Sequence, residues 1–159
     1  MPSVLAWHVE HRNPPAEMLH SVDVDLYLKH DVRRAVETDE IHLSLGLGSP
    51  FEQTFGYYAD PVTPALPTLP AGWEQRLLSL SFHDNIIAWF LEPNDAAISK
   101  YARGSFRDRA WIHAGLDADI LHLPIIRERL ADTRFFDDVE RERVFTAVTE
   151  DTERLKLQK

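Results

Sequence analysis

Residues 22–28 read V-D-V-D-L-Y-L, and this stretch decides the fold because apolar side chains alternate with Asp23, Asp25 and Tyr27. Alternation with a period of two is typical of a β-strand that has one buried face and one face open to water. The sequence therefore predicts a strand over Val22–Leu28. Its open face carries two carboxylates that point the same way, so that face must be wet or must hold a cation.

Short elements are predicted downstream of this strand. A helix is expected to end near Leu45, and the glycine-rich segment 46–50 is expected to form a break after it. Phe55–Ala59 is rich in aromatic residues and predicts a strand. Leu77–Phe82 and Ile86–Leu91 are short apolar runs with a turn between them, which predicts a hairpin.

After Glu92 the sequence pattern changes from one typical of short strands to one typical of helices. Helices are predicted over Pro93–Arg103, from a cap at Ser105 to about Leu116, in shorter pieces up to Leu130, and over the tail from residue 135 to 157. Strands come first and a helical cluster comes last. This order predicts an α+β fold, with a small mixed sheet followed by a C-terminal helical cluster.

The length of 159 residues predicts one domain that buries one core. Residues 1–92 would form its sheet-containing part and residues 93–159 its helical part. The chain has no cysteine, so a metal would be held by His, Asp or Glu. Its longest apolar runs are far shorter than a membrane helix needs, so we expect no membrane partner and a cytoplasmic location.

The formal net charge of -9 bears on the choice of partner. A field of this sign repels a phosphate backbone, so general DNA binding is not expected unless a local basic patch exists. A nucleotide that arrives with its own divalent cation remains compatible with this charge.

The acid pair of the predicted strand is the sharpest chemical feature. Carboxylates at Asp23 and Asp25 lie on one face of a strand, near enough to bind one divalent cation, and hard oxygen ligands suit Mg²⁺. Acid-x-acid words also occur on exposed strand faces that only contact water. Both interpretations stay open for the pair taken alone.

Four words of the sequence, read together, carry a family resemblance. They are D-V-D-L-Y-L, G-S-P-F-E-Q-T-F-G-Y-Y-A-D, L-P-A-G-W-E-Q-R-L and L-E-P-N-D-A-A-I-S-K-Y-A-R-G, in this order. The stretch from about Ser3 to Leu130 resembles a bacterial family of uncharacterised nucleotidyltransferase-like proteins. That family is similar to the AbiEii type toxin nucleotidyltransferases and belongs to the polymerase β-like superfamily.

The resemblance implies a site and a cofactor. Asp23 and Asp25 match the family's catalytic, metal-binding pair, which holds Mg²⁺ while a nucleoside triphosphate serves as substrate. A third carboxylate often completes such a site, and Asp60 and Glu92 are the nearest candidates. Both also have ordinary structural interpretations, Asp60 as a turn residue and Glu92 as the residue that fixes a helix entrance.

The same resemblance assigns a nucleotide-binding role to the first C-terminal helix. Asp95 and Lys100 match the family's D-x-x-x-x-K word, and Arg103 follows on helical spacing. Lys100 and Arg103 are therefore expected to contact phosphate. The alternative is that these cations form ion pairs with Asp95 and Asp108 within the helical cluster.

One departure from the family pattern concerns activity. In the family a hydrophobic strand ends in a word like G-S-Q, which turns around the triphosphate, before the residues that align with Ser3 and those after it. This chain begins with Met1-Pro2 and shows neither that strand nor its glycine. Either the start of the chain is assigned too late or the chain is a degenerate homologue, and in both cases we expect nucleotidyl transfer by the chain as given to be impaired or absent. The alternative function is a non-catalytic binding or assembly module, of a toxin–antitoxin or defence system, that forms a homo-oligomer or binds a partner protein.

Overall fold

The computed structural model describes residues 14–19, 23–26, 36–62, 67–81 and 87–157. In chain order the elements are α1 (Ala16–Leu19), β1 (Asp23–Leu26), α2 (Val36–Leu45), α3 (Pro50–Phe55), β2 (Tyr58–Pro61), a 3₁₀ turn (Trp73–Arg76), β3 (Leu78–Ser81), β4 (Ile87–Phe90), α4 (Pro93–Arg103), α5 (Phe106–Asp117), α6 (Leu123–Leu130) and α7 (Asp138–Leu157). Short strands and a C-terminal cluster of helices confirm the α+β class.

The chain divides into two compact units. The first contains β1, α2, α3 and β2, and the second contains α1 together with the elements from the 3₁₀ turn to α7. The β3–β4 hairpin thus groups with the helices of the second unit. The expectation of a single domain stays a prediction.

The first unit is built on a parallel pairing of β1 with β2. Val24 and Leu26 are half-buried and Ala59, opposite Val24, is buried, so one face of the ladder is shielded from water. Helix α2 packs against β2. The strand predicted over Val22–Leu28 is confirmed for Asp23–Leu26, and its remaining positions lie outside the described residues.

The strand predicted over Phe55–Ala59 is wrong in its start, because a helix precedes it. Ser49 accepts a hydrogen bond from the Glu52 backbone N–H at 3.2 Å, and Pro50 occupies the first helical position. Helix α3 ends at Gly56, whose φ of 74° suits a residue without a Cβ. The predicted break at residues 46–50 is thus the start signal of a helix, and β2 begins three residues later than expected.

The second unit holds the hydrophobic core of the chain. Its hairpin pairs β3 with β4 in antiparallel fashion, as predicted, while the connecting turn lies outside the described residues. Helices α4 to α7 form as the sequence predicts, with ends within a few residues of the expected positions, whereas α1 was not predicted. The most deeply buried apolar side chains come from α1, α4, α5, α6 and α7: Met18, Ala97, Ile98, Tyr101, Ile112, Ile126, Leu130 and Val144.

Two side-chain caps fix where α4 and α5 begin. Glu92 accepts hydrogen bonds from the backbone N–H groups of Asn94 and Asp95, at 3.1 and 3.2 Å. Ser105 and Asp108 form a capping box, in which each side chain accepts from the other residue's backbone N–H. These caps satisfy N–H groups that a helix cannot pair internally, so they set the turn between α4 and α5.

Candidate functional site

The parallel ladder of the first unit places two carboxylates side by side. Asp25 on β1 is the register partner of Asp60 on β2, and both residues are exposed. Neighbouring strands lie about 4.8 Å apart, and partners in a ladder project from the same face of the sheet. The two carboxylates therefore lie on the exposed face, within reach of one cation.

Asp23, the other acid of the predicted pair, is the register partner of Tyr58 and precedes Asp25 by two residues on β1. Among the described residues, no group of three His, Asp or Glu side chains is arranged to hold a metal ion. The donor chemistry of Asp25 and Asp60 nevertheless fits Mg²⁺, which binds through one or two carboxylates and takes its other ligands from water and substrate phosphates.

Of the two candidates for a third carboxylate, only Asp60 lies on the strand that pairs with β1, which carries Asp23 and Asp25. The register could not be read from the sequence, because the strand was expected to end at Ala59. The other candidate, Glu92, accepts hydrogen bonds at the start of α4 and also forms a very short ion pair with Arg129. The Glu92 carboxylate thus contacts both the start of α4 and Arg129 on α6, so it has a structural role there.

Asp95, the acid of the D-x-x-x-x-K word, is fully buried and paired. It accepts from Arg76 Nε at 2.8 Å and Nη2 at 3.2 Å, and from Arg129 Nη1 at 2.9 Å. Burial would lower the pKa of Arg129, but the bonds and charges of Glu92 and Asp95 outweigh it and raise that pKa. These four side chains tie the 3₁₀ turn, α4 and α6 into one ionic network.

The head groups of Lys100 and Arg103 both form ion pairs with Asp108, which is buried with 1 % of its surface exposed. Arg103 donates to its two carboxylate oxygens at 2.8 and 2.6 Å, and Lys100 Nζ lies 3.4 Å from Oδ1. Burial alone would raise the pKa of Asp108, but hydrogen bonds from Arg103 and Ser105 and the charge of Lys100 lower it to about 2. The ion pairing with Asp108 that the sequence allowed is present, and phosphate contact by these cations stays a prediction.

A third buried acid, Asp151 on α7, was not singled out by sequence. The Tyr101 hydroxyl donates to it at 2.7 Å, and His113 Nε2 lies 2.8 Å from its Oδ1. Burial first, and then the hydrogen bond to Asp151, raise the pKa of Tyr101 well above its usual range. Tyr101 and Asp151 are fifty positions apart, so no local pattern could have paired them.

The predicted site residues thus fall into two groups. Asp23 and Asp25 belong to the first unit, whereas Lys100 and Arg103 belong to the second. Within the part of the chain that the structure describes, no helix is both long and apolar enough to cross a membrane.

The comparisons with known proteins give one finding. No curated protein and no solved structure matches the chain significantly. A family profile, described as "Nucleotidyltransferase of unknown function (DUF6036)", matches residues 15–157 and so spans both units. This description agrees with the nucleotidyltransferase resemblance of the sequence, and the AbiEii type is not part of it. The chain therefore belongs to this nucleotidyltransferase family.

Proposed function

We propose that the chain retains metal-dependent nucleotidyl transfer, contrary to the loss of activity that the sequence predicts, and that its cation is held on the exposed face of β1 and β2. Asp25 and Asp60 are the proposed ligands, and Asp23, the other acid that the sequence predicts for the site, lies two residues before Asp25 on β1. The observation that carries the proposal is the register of the parallel ladder, in which Asp25 lies directly opposite Asp60. The family description supports the reaction class.

The energetics of the ladder support a bound cation. Like charges directly opposite each other on neighbouring strands destabilise a sheet. Asp25 and Asp60 are such a pair, and both are exposed. A divalent cation between them offsets the repulsion, so the arrangement makes sense as a binding site.

The chemistry follows from the donor set. A Mg²⁺ ion, when bound, neutralises charge on the phosphates of a nucleoside triphosphate and on the departing pyrophosphate. An acceptor hydroxyl would form a bond to the α-phosphorus while the bond from that phosphorus to the bridging oxygen breaks, so that pyrophosphate leaves and the hydroxyl proton passes to solvent. The carboxylates of Asp25 and Asp60 hold the substrate in position through the cation. Their exposed face leaves room for both nucleotide and acceptor.

A phosphate-binding role for Lys100 and Arg103 is a separate part of the proposal. Asp108 holds both head groups in fixed positions, and 61 % of the Arg103 side chain is exposed. An exposed guanidinium that is already oriented can bind phosphate with little further loss of side-chain freedom.

Label transfer from nucleoside triphosphates tests the proposal. The chain is incubated with each α-labelled nucleotide, Mg²⁺ and a cell extract as source of acceptors, and labelled products are separated. We expect labelling to fall more than about 100-fold in Asp25→Asn and Asp60→Asn, because even outer-shell partners of metal ligands are worth about 10- to 100-fold.

Asp39→Asn is the matched control, since Asp39 is an exposed acid on α2 of the same unit. It should label as the parent does. Undiminished labelling by both ligand variants, or no labelling by the parent with any nucleotide, would show that this chain does not use the proposed site.

A further inference from the structure

We propose that an exposed aromatic cluster in the first unit binds an arginine side chain from a basic segment of a partner protein. The aromatic cluster consists of Phe51 and Phe55 on α3 and of Tyr57, which directly precedes β2. This inference goes beyond nucleotidyl transfer, because the partner binds without metal or nucleotide.

Local structure brings the three rings together. Phe51 and Phe55 are four residues apart, a spacing that places both on one face of α3, and their ring centroids lie 4.8 Å apart. The helix ends at Gly56 in the left-handed conformation. The Tyr57 ring after it lies 5.3 Å from the Phe51 ring and 6.3 Å from the Phe55 ring. Each ring therefore contacts the other two.

The aromatic cluster is open to a ligand. Phe55 is 59 % exposed and Tyr57 is 44 % exposed. Single exposed apolar residues are common on protein surfaces, whereas a contiguous apolar patch marks a site of interaction. The face of an aromatic ring carries partial negative charge and attracts cations, arginine more often than lysine.

The charge of the first unit also favours a cationic partner. Its main segment, His20–Pro67, contains eight acids against three lysines and arginines, a net charge of -5. The three cations are Lys29, Arg33 and Arg34, which lie outside the described residues and at least 17 positions before Phe51. A surface of this sign attracts a basic segment and repels a phosphate that arrives without a metal.

Glu52 makes arginine the best-fitting cation. It lies three residues before Phe55 on α3, so the two side chains are neighbours on the helix surface. Its carboxylate accepts from the Gly48 backbone N–H at 3.2 Å, and this neutral group does not cancel its charge. A guanidinium stacks flat on a ring and also has N–H donors for a carboxylate, whereas a quaternary ammonium has none.

The second unit contains the same kind of contact within the chain. The guanidinium carbon of Arg141 lies 5.4 Å from the centroid of the Phe145 ring, so this cation is supplied by the same helix. Among the described residues, no lysine or arginine lies over the rings of the aromatic cluster. A partner is therefore proposed to supply the cation there.

A single exposed phenylalanine supplies the matched control. Phe136, before α7, is 90 % exposed and is followed by Asp137 and Asp138. In the part of the chain that the structure describes, its ring pairs with no other aromatic ring. It combines an exposed ring with nearby acids but lacks the cluster, so it tests whether the cluster itself binds.

Fluorescence anisotropy with a labelled peptide of alternating arginine and serine tests the proposal. The full chain is used without Mg²⁺ or nucleotide, so the result does not depend on the metal site. At physiological salt the screening length is about 8 Å, which limits the effect of distant acids. Phe55→Leu should weaken binding about 2- to 30-fold, the loss of one cation–π contact, and Phe136→Leu should leave it unchanged.

Tyr57 and Glu52 test the ring and the charge separately. Tyr57→Leu should weaken binding as Phe55→Leu does, whereas Tyr57→Phe keeps the ring and should bind as the parent does. Glu52→Gln keeps an acceptor for the Gly48 N–H but removes the charge, so it should weaken binding. Glu128→Gln, at an exposed acid on α6, should not. The corresponding lysine peptide should bind the parent more weakly than the arginine peptide.

Several outcomes would overturn the proposal. They are no binding of the arginine peptide by the parent chain, equal binding by the Phe55→Leu and parent chains, and equal losses in Phe55→Leu and Phe136→Leu. Tighter binding of the lysine peptide, of tetramethylammonium or of a metal-free nucleoside triphosphate than of the arginine peptide would also overturn it.

Discussion

Five aspartates of this chain show how surroundings decide what one residue type does. Asp95, Asp108 and Asp151 are buried, and each is paired with cationic or hydroxyl groups, which is how a buried charge is tolerated. Asp25 and Asp60 are exposed and face each other across a ladder. The buried acids therefore connect elements of the second unit, and the exposed pair is the candidate for chemistry.

Asp108→Asn tests the buried acids at the residue scale. Because the folded chain lowers the pKa of Asp108 from 3.8 to about 2, its carboxylate stabilises the fold fully above about pH 4. That contribution is lost as the pH falls from about 4 through 2. We expect Asp108→Asn to lower the free energy of unfolding by about 2 kcal/mol at pH 7, and by much less at pH 2.

Urea denaturation at both pH values measures this effect. Asp132→Asn, at an exposed acid in the turn after α6, serves as control and should cost little at either pH. An Asp108→Asn chain that loses as much stability at pH 2 as at pH 7 would contradict the assigned ion pairing.

Gly115→Ala tests the packing of elements, where α5 meets the turn before α6. A Cβ at Gly115 would lie 2.7 Å from Leu121 Cδ1 and 3.1 Å from Met18 Cε, inside the core. Overpacking of this kind costs about 1–3 kcal/mol, more than the gain of up to about 1 kcal/mol from replacing glycine within a helix. We expect a net loss of stability.

A second variant chain separates the cost of overpacking at Gly115 from the gain of replacing a glycine within a helix. In a Leu121→Ala chain the two nearest crowding atoms are gone and only Met18 Cε, the end of a flexible side chain, remains close. Adding Gly115→Ala to that chain should therefore raise the free energy of unfolding by up to about 1 kcal/mol. Chemical denaturation of the single and double variants gives the comparison. The same sign of effect in both backgrounds would show that Leu121 does not limit the space at Gly115.

At the scale of elements, the sequence predicts the helices and strands whose positions depend on contacts between residues close in sequence. The alternation around Asp25 predicted β1, and the Glu92-Pro93 and Ser105 signals predicted α4 and α5, because caps and periodicity act within a few residues. The strand predicted over Phe55–Ala59 is misplaced at its start because the cap at Ser49 begins a helix that includes Phe55. The cap satisfies backbone N–H groups directly, and it determines the helix.

At the scale of the whole molecule, the sequence could not supply partners that are distant along the chain. The pairing of Asp25 with Asp60, and the bonds of Asp95 to Arg76 and Arg129, join residues 19 to 35 positions apart. Such contacts depend on register and packing, which a single sequence does not display. The fold class was therefore predictable, whereas the position of Asp60 opposite Asp25 in the candidate site was not.

Mn²⁺ binding measured by electron paramagnetic resonance tests whether Asp25 and Asp60 hold one divalent cation. Mn²⁺ replaces Mg²⁺ at oxygen ligands, and its free signal falls as it binds. With nucleotide present, we predict that Asp25→Asn and Asp60→Asn each weaken binding by at least about 10-fold, while Asp39→Asn binds as the parent does. Equal Mn²⁺ affinity in all four chains would contradict the account.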